Sequence, residues 1–557
     1  MPIRSFLVTQ VTLSHQLPFL RALVKVLKMK HRILGALAAV VATCLIPSVL
    51  VAGIFSGVVK SVSSSRISVQ GKSSKVNKSF RLPRSVKVSL DGKTSNVRRL
   101  KAGQQVTIFT SSSGLVTRIR ATSDSAPTPK PSPKTTPNPE PKPPKTTNTT
   151  PSSPSPRTNS NRTGSSQSEW SQFRGPNRDN ISTERGLLKS WSNNGPRLAW
   201  TARGMGKGYS TVSMANGMLY TMGLLGSREV VVAIQADNGQ IAWTKEYASG
   251  RGKLNVGDGP RSTPAIVDGK VYTLGGHGDL ICLNAESGDI LWQKNILQEF
   301  QGSNIGWGIS ESVLVDGNKV ICTPGGSRGT MVALDKDSGS LIWRSQVPGN
   351  HKASYSSPII ANVGGVKQYV TFTSSAVIGV RASDGEPLWG NASSANGTAN
   401  CSAPLFFRDT VFSASGYGTG GTLLSLRSSN SRTQAQQVYH TDDMKNHHGG
   451  MVVVDGYLYG SNDPGVMTCI ELRSGRIAWQ NRSVGKGAVT FADGHIYLRS
   501  EQGPIALIEA NPSAYREKGR FRQPNQSGDK TWAHPVIAGG KLFLRDHDVL
   551  LAYDVKQ

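Results

Sequence analysis

The stretch AIQADNGQIAW, residues 233–243, decides the fold: a short apolar strand, a polar turn closed by Gly239, and Trp243 four residues on. The pattern returns as CLNAESGDILW (Gly288, Trp292), ALDKDSGSLIW (Gly339, Trp343), GVRASDGEPLW (Gly385, Trp389) and CIELRSGRIAW (Gly475, Trp479). Between these copies lie hairpins of two apolar strands. Their turns read Asn216-Gly217, Asp268-Gly269, Asp316-Gly317, Gly364-Gly365, Asp455-Gly456, Asp493-Gly494 and Gly539-Gly540, with Arg408-Asp409 as a weak eighth member. Asx-Gly and Gly-Gly supply the positive φ values that a two-residue hairpin turn needs. One such unit cannot bury its own faces, and the Trp is placed to fill the gap between neighbouring sheets. A period of this length is the mark of a propeller.

Counting the units gives the ring size. Each of the first seven turns is followed by an aromatic residue: Trp243, Trp292, Trp343, Trp389, Tyr439, Trp479 and Phe521. The eighth turn lies too near the C-terminus to be followed by its own last strand. RLAW, ending in Trp200 ahead of the first turn, is available to complete it. The expected fold is an all-β eight-bladed propeller over residues 169–557, closed by the strand at Trp200. Seven blades is the alternative if the Tyr439 or Phe521 repeat is degenerate. Trp200, Trp243, Trp292, Trp343, Trp389 and Trp479 are the expected blade-docking residues.

The formal charge of +29 belongs to the N-terminal part of the chain. Residues 1–121 hold 20 Lys and Arg against one acid, Asp91, whereas residues 169–557 carry 38 bases and 32 acids. This distribution gives no reason to expect nucleic acid as a partner. Residues 33–59 contain no charge and exceed the ~20 residues of a membrane-spanning helix; basic residues within 1–32 form the expected cytoplasmic flank. A transmembrane anchor is expected there, with a cleaved signal as the alternative, and Met29 is a second candidate start. Residues 60–121 read as a small basic β module, with strands at 66–69, 86–90, 106–110 and 116–119 and turns at Asp91-Gly92 and Ser113-Gly114. An anionic lipid or polymer is the partner such a charge suits. Residues 122–168 are a Pro/Ser/Thr-rich disordered linker by composition. The chain is thus expected to be membrane-anchored with an extracytoplasmic propeller.

The repeats resemble those of the quinoprotein alcohol dehydrogenases and of the outer-membrane assembly lipoprotein of the BamB type. The fragments WSQFRGPNRDNIS, GWGISESVLVDGNKVICTPGG, SYSSPIIANVGGVKQYV and NHHGGMVVVDGYLYG are similar to a group of exported propellers, often from planctomycetes. The resemblance implies a propeller carrying pyrroloquinoline-quinone-like repeats, and two functions: a binding scaffold for a protein or cell-envelope ligand, or a quinone-dependent dehydrogenase acting on an alcohol or sugar. The dehydrogenase pattern implies pyrroloquinoline quinone with calcium, often beneath adjacent half-cystines. This chain has no Cys-Cys and no CxxCH, and its five cysteines are spread singly. Cys282, Cys322, Cys401 and Cys469 read as small buried apolar residues, a disulfide between two of them being the alternative. The expected role is therefore the non-catalytic scaffold, with no cofactor and no metal.

Inward-facing residues of a propeller precede each hairpin turn. In blade 3 the first strand is expected to carry Trp307, Ser310 and Glu311, and in blade 6 Asn446, His447 and His448. Adjacent strand residues face opposite sides, so His447 and His448 are not expected to share a metal. Trp307, Glu311 and His448 form the candidate channel-mouth ligand site.

Overall fold

The computed structural model describes residues 54–125 and 170–557, apart from residues 72–76, 84–85, 91–92, 111–114, 250–253 and 255–256. The chain divides into two compact units between Ser155 and Pro156. Residues 1–53 and 126–169, which include the basic N-terminus, most of the expected anchor and the Pro-rich linker, lie outside the described residues.

The first unit is one seven-stranded sheet. All four expected strands are present, at Arg66–Gly71, Lys87–Leu90, Gln104–Thr110 and Val116–Ser125. Three more complete it, at Ile54–Val62, Asn77–Arg81 and Lys93–Ser95. Ile54–Val62 corrects the sequence reading, which placed residues 54–59 in a membrane helix. This segment pairs on one side with Arg66–Gly71 and on the other with Gln104–Thr110. Val59 is 1% exposed and packs with Ile67, Val69, Ile108 and Ile119. A short β-branched run reads alike as a strand or as part of a longer apolar helix; here the cross-strand partners decide. No helix among the described residues is long and apolar enough to cross a membrane.

The second unit is a ring of eight sheets, each built on four antiparallel strands, one of which gains a fifth, parallel strand. Blade 1 runs from Ser213 to Ser249, blade 2 from Ala265 to Asn295, blade 3 from Leu314 to Ser345 and blade 4 from Ile359 to Asn391. Blades 5, 6 and 7 span residues 405–441, 451–481 and 487–522. Blade 8 is composite: Val536–Ala538, Lys541–Asp546 and Val549–Asp554 are completed by Arg197–Ala202, with Trp200 opposite Ala552. Seven of the eight hairpin turns fall where expected. The exception is blade 3, where Asp316 pairs with Lys319, so the turn residues are Gly317 and Asn318.

At six of the eight seams the aromatic residue of one blade docks on the next blade's glycine, whereas Trp479 donates to Asn511 O of blade 7, where no repeat glycine stands. The indole N–H groups of Trp200, Trp243, Trp292 and Trp343 donate to the carbonyls of Ala236, Ala285, Lys336 and Ala382, each three residues ahead of a repeat glycine. The Tyr439 hydroxyl donates in the same way to Leu472, 2.7 Å away. Phe521 closes on Gly195, just ahead of the composite strand. Trp389 departs from the pattern. Blade 5 turns at Asn430-Ser431 and has no repeat glycine there, so the indole donates to Gln368 of its own blade at 2.6 Å. Gln368 in turn donates to Thr433 of blade 5.

A second belt runs around the channel. Ser213 donates to Pro264 O, Thr263 N–H to Ser312 Oγ, Ser312 N–H to Ser357 Oγ and Ser356 to Ser402 O. Ser402 donates to Asn446, Val489 N–H to Gly449 O, Thr490 to Pro535 O, and Thr211 to His534 O. Every seam between blades is crossed by one of these bonds.

Residues Trp170–Ser182 form a plug inside the ring. Arg174 and Arg178 are both buried. Arg174 donates to Met451 O at 2.8 Å, and Arg178 to Ser312 O at 2.6 Å and Val313 O at 3.0 Å. Ile181–Ser182 adds a parallel strand to blade 7.

Candidate functional site

The loop that leads into each first strand ends at the channel. Tyr209, Arg261, Ser310, Tyr355, Cys401, His447 and Trp532 each stand four residues ahead of a first strand, in blades 1 to 6 and 8. Together with Trp307, Tyr417 and His448 they wall a cavity of about 330 Å³. Two residues further along, Thr211, Thr263, Ser312, Ser357 and His534 form a deeper tier, and Phe173 of the plug is part of the lining. The cavity falls within the size range of small-ligand sites.

The wall is largely aromatic. Tyr209 stacks on Trp532 with centroids 4.6 Å apart, and the Arg261 guanidinium lies 5.0 Å from the Tyr209 ring centre. Trp307 packs on Tyr355 at 5.3 Å, Tyr417 meets His447 edge-on at 4.7 Å, and His448 meets Trp532 at 5.5 Å. Buried arginines hold these loops from behind. Arg545 donates to Ser210 O and Gly206 O, flanking Tyr209, and Arg499 to Ala533 O, next to Trp532.

The histidines are neutral. Burial, reinforced by the neighbouring His448 and Lys486, takes His447 down to about 3. His534 is lowered to about 3 by burial and by Arg174. His448 is also lowered by burial, against the opposing effect of Glu501. Its Nε2 stands 3.1 Å from a Glu501 oxygen and, in a neutral ring beside a carboxylate, must carry the proton. Burial pushes Glu501 up, but hydrogen bonds from His448 and Lys530 outweigh it and hold the carboxyl well below the usual range.

Of the candidate trio, Trp307 and His448 line the cavity and Glu311 does not. Ser310 and Ser312 face the channel, and Glu311 between them turns away, accepting from Thr323 N–H at 3.1 Å. Its burial raises the carboxyl to about 8. The expectation that His447 and His448 face opposite sides is also corrected. Both line the cavity, with ring centres 5.1 Å apart, because they lie in the loop before Met451–Val454 and not in a strand. Trp307, Ser310 and Glu311 likewise precede their strand, which starts at Leu314. The four propeller cysteines are free, and Cys401 in the wall is driven up to about 12 by burial. Sequence reasoning missed Tyr209, Arg261, Tyr355, Tyr417, Trp532 and the plug's Phe173. Their constant offset from the first strand is the signal that finds all but Tyr417 and Phe173.

Residues 227–481 match the family model described as outer membrane protein assembly factor BamB. The fold is a β-propeller, and just under half of the chain is similar to the pyrroloquinoline-quinone-like repeats of that model. Among its relatives, the BamB protein of Yersinia pestis is 28% identical over 174 residues, 29% of this chain and 39% of that protein. The BamB protein of Shewanella oneidensis is 23% identical over 288 residues, 48% of this chain and 68% of that protein. The chain thus spans well under half of the Yersinia relative. Among solved structures, a europium-containing methanol dehydrogenase superposes with a TM-score of 0.52 at 12% identity, over 69% of this chain and 89% of the other. That likeness shows the fold alone.

A quinone of the family's kind is a planar tri-acid, and its dehydrogenase site needs carboxylates to hold calcium and to serve as base. Among the described residues that line the cavity none is Asp or Glu, and Arg261 is the one residue there with a permanent positive charge. No group of three or more His, Cys, Asp or Glu among the described residues converges as a metal site. The residues present do not fit that group.

Proposed function

We propose that this chain is a protein-binding scaffold module of the cell envelope, non-catalytic, whose propeller seats a partner at the aromatic mouth of its channel. The observation that carries the reading is the cavity: an aromatic wall around a neutral histidine cluster, with no carboxylate among its described lining residues. Such a surface takes up a partner's apolar or aromatic side chains, as interface hot spots do, and it offers no carboxylate to hold calcium or to serve as a base. The relatives bear the name of an outer membrane protein assembly factor, which supports a role in contact with other proteins. An extracytoplasmic position fits the same relatives, and tethering through the apolar residues 33–53 fits the sequence.

The test is photo-crosslinking in the native envelope, with a benzophenone amino acid in place of Tyr417 or Ser310. A discrete protein adduct is expected, weakened when Trp307 or Trp532 is changed to Ala. No adduct, together with dye-linked alcohol oxidation after adding pyrroloquinoline quinone and calcium, would replace this reading with the dehydrogenase one.

A further inference from the structure

Beside a two-residue hairpin turn, the flanking pair of residues exchanges both ladder hydrogen bonds. The residue one step further from the turn therefore aims its N–H and C=O away from the partner strand. In the innermost strand of a blade, that direction is the channel. The rule picks Met214, Ile266, Phe491 and Ile537 in blades 1, 2, 7 and 8, and on these four residues the plug closes. Trp170 bridges to Met214, and Ser171 O accepts from Ile266 N–H. Asn180 O accepts from Phe491 N–H, and Ser182 Oγ donates to Ile537 O. The plug serves as a strand for one contiguous half of the ring.

The same rule picks Val315 in blade 3, Asn362 and Ile360 in blade 4, and Phe406 in blade 5. Among the described residues none of these has a backbone bond to the plug. Ile360, Asn362 and Phe406 instead border a second cavity of about 370 Å³ at the hairpin-turn end of the channel, shared with plug residues Pro176 to Asp179. Asn362 is exposed, and Ile360 and Phe406 are half-buried. The inner strand here, Ile359–Val363, has five residues, against three in blades 1, 2, 3, 5 and 8, so it offers two successive sets of backbone groups.

We infer that this mouth, between blades 3 and 5, docks an extended polypeptide segment of a partner, which pairs with the free edge of Ile359–Val363. Alternate N–H and C=O groups at strand spacing are matched by another backbone, and the ring already uses this mode where Ile181–Ser182 joins blade 7. Ile360 and Phe406 seat the segment's apolar side chains. The inference rests on the protein-binding reading above but not on the aromatic cavity.

The test pans the full-length chain against phage bearing random heptapeptides and remakes the best binder with alternate backbone amides N-methylated. Asn362→Pro removes an N–H that blade 4 does not use, and proline is tolerated at a strand edge. Both changes should weaken binding at least tenfold, and Trp307→Ala should leave it unchanged. As a check that needs no variant, the peptide should slow hydrogen exchange at Ile360 and Asn362 in the unaltered chain. Binding that ignores N-methylation and leaves those amides unprotected overturns the site, as does a failure to enrich any peptide. Binding lost with Trp307→Ala but kept with Asn362→Pro overturns this mouth while sparing the protein-binding reading.

Discussion

The indole of Trp200 lies against the backbone of Gly239, so closely that a Cβ built on the glycine would stand 2.6 Å from the ring. Trp200 belongs to the strand that completes blade 8 and Gly239 to blade 1, so this contact closes the circle. Gly239 also holds a φ of +78°, where a side chain is strained. Gly239→Ala should cost about 1–3 kcal/mol, and Trp200→Ala, in a partly buried site, about 2–3 kcal/mol. In urea unfolding the two should fall short of additive, because removing the indole makes room for the new methyl. Full additivity would deny the contact its place in ring closure.

Arg178 offers a second test. Its guanidinium feeds the carbonyls of Ser312 and Val313 from within the ring. Arg178→Met should lower stability by about 2–3 kcal/mol, the scale of lost hydrogen bonds from a charged donor. Arg178→Lys should recover only part, since an ammonium lacks the planar fork. Equal stability of all three chains would show that the plug is a passenger.

The pH profile of unfolding should have a maximum. Burial keeps His447, His448 and His534 below their ordinary value, so the unfolded chain takes up protons below about pH 6.5 that the folded ring refuses. Stability is therefore lost on acidification from there toward pH 3. Glu311 acts in the opposite sense: burial raises its carboxyl to about 8, so the folded form keeps a proton that the unfolded one has released. Its contribution is lost as pH rises from about 4.3 through 8. On the acid side the lowered histidines, His495 and His547 among them, outweigh the raised carboxyls of Glu311, Asp179 and Glu229, and the carboxyls dominate above pH 6.5. The unfolding midpoint should peak near pH 6.5, and Glu311→Gln should flatten the alkaline limb. An unchanged alkaline limb in that variant would remove Glu311 from the account.

The basic module tests the corrected strand. Val59→Asp buries a charge between two partner strands and should unfold the first unit while leaving the propeller's own transition in place. Separate calorimetric transitions would show this. Retention of the module's transition would mean that Ile54–Val62 is not part of its core.

The blade number was legible because each hairpin turn and each aromatic residue is fixed by a local requirement, positive φ in one case and an inter-sheet gap in the other. Even the composite eighth blade followed from the spare strand at Trp200. Ile54–Val62 was hidden because its apolar residues continue an uncharged run, and composition alone cannot place the boundary. Glu311 was misassigned by one position of alternation, which reverses the direction of a side chain. The plug was invisible for a different reason. Arg174 and Arg178 look like surface residues in sequence, and only the ring's unpaired carbonyls explain their burial.

The plug has a mechanical consequence. Any pull on the chain upstream of Trp170 enters the propeller through this segment, not through the closing strand at Trp200. Among the described residues its bonds reach every blade but the fourth, so the load is shared around the hub as in a wheel pulled at its axle. A load applied there is borne without peeling the ring open at its seam.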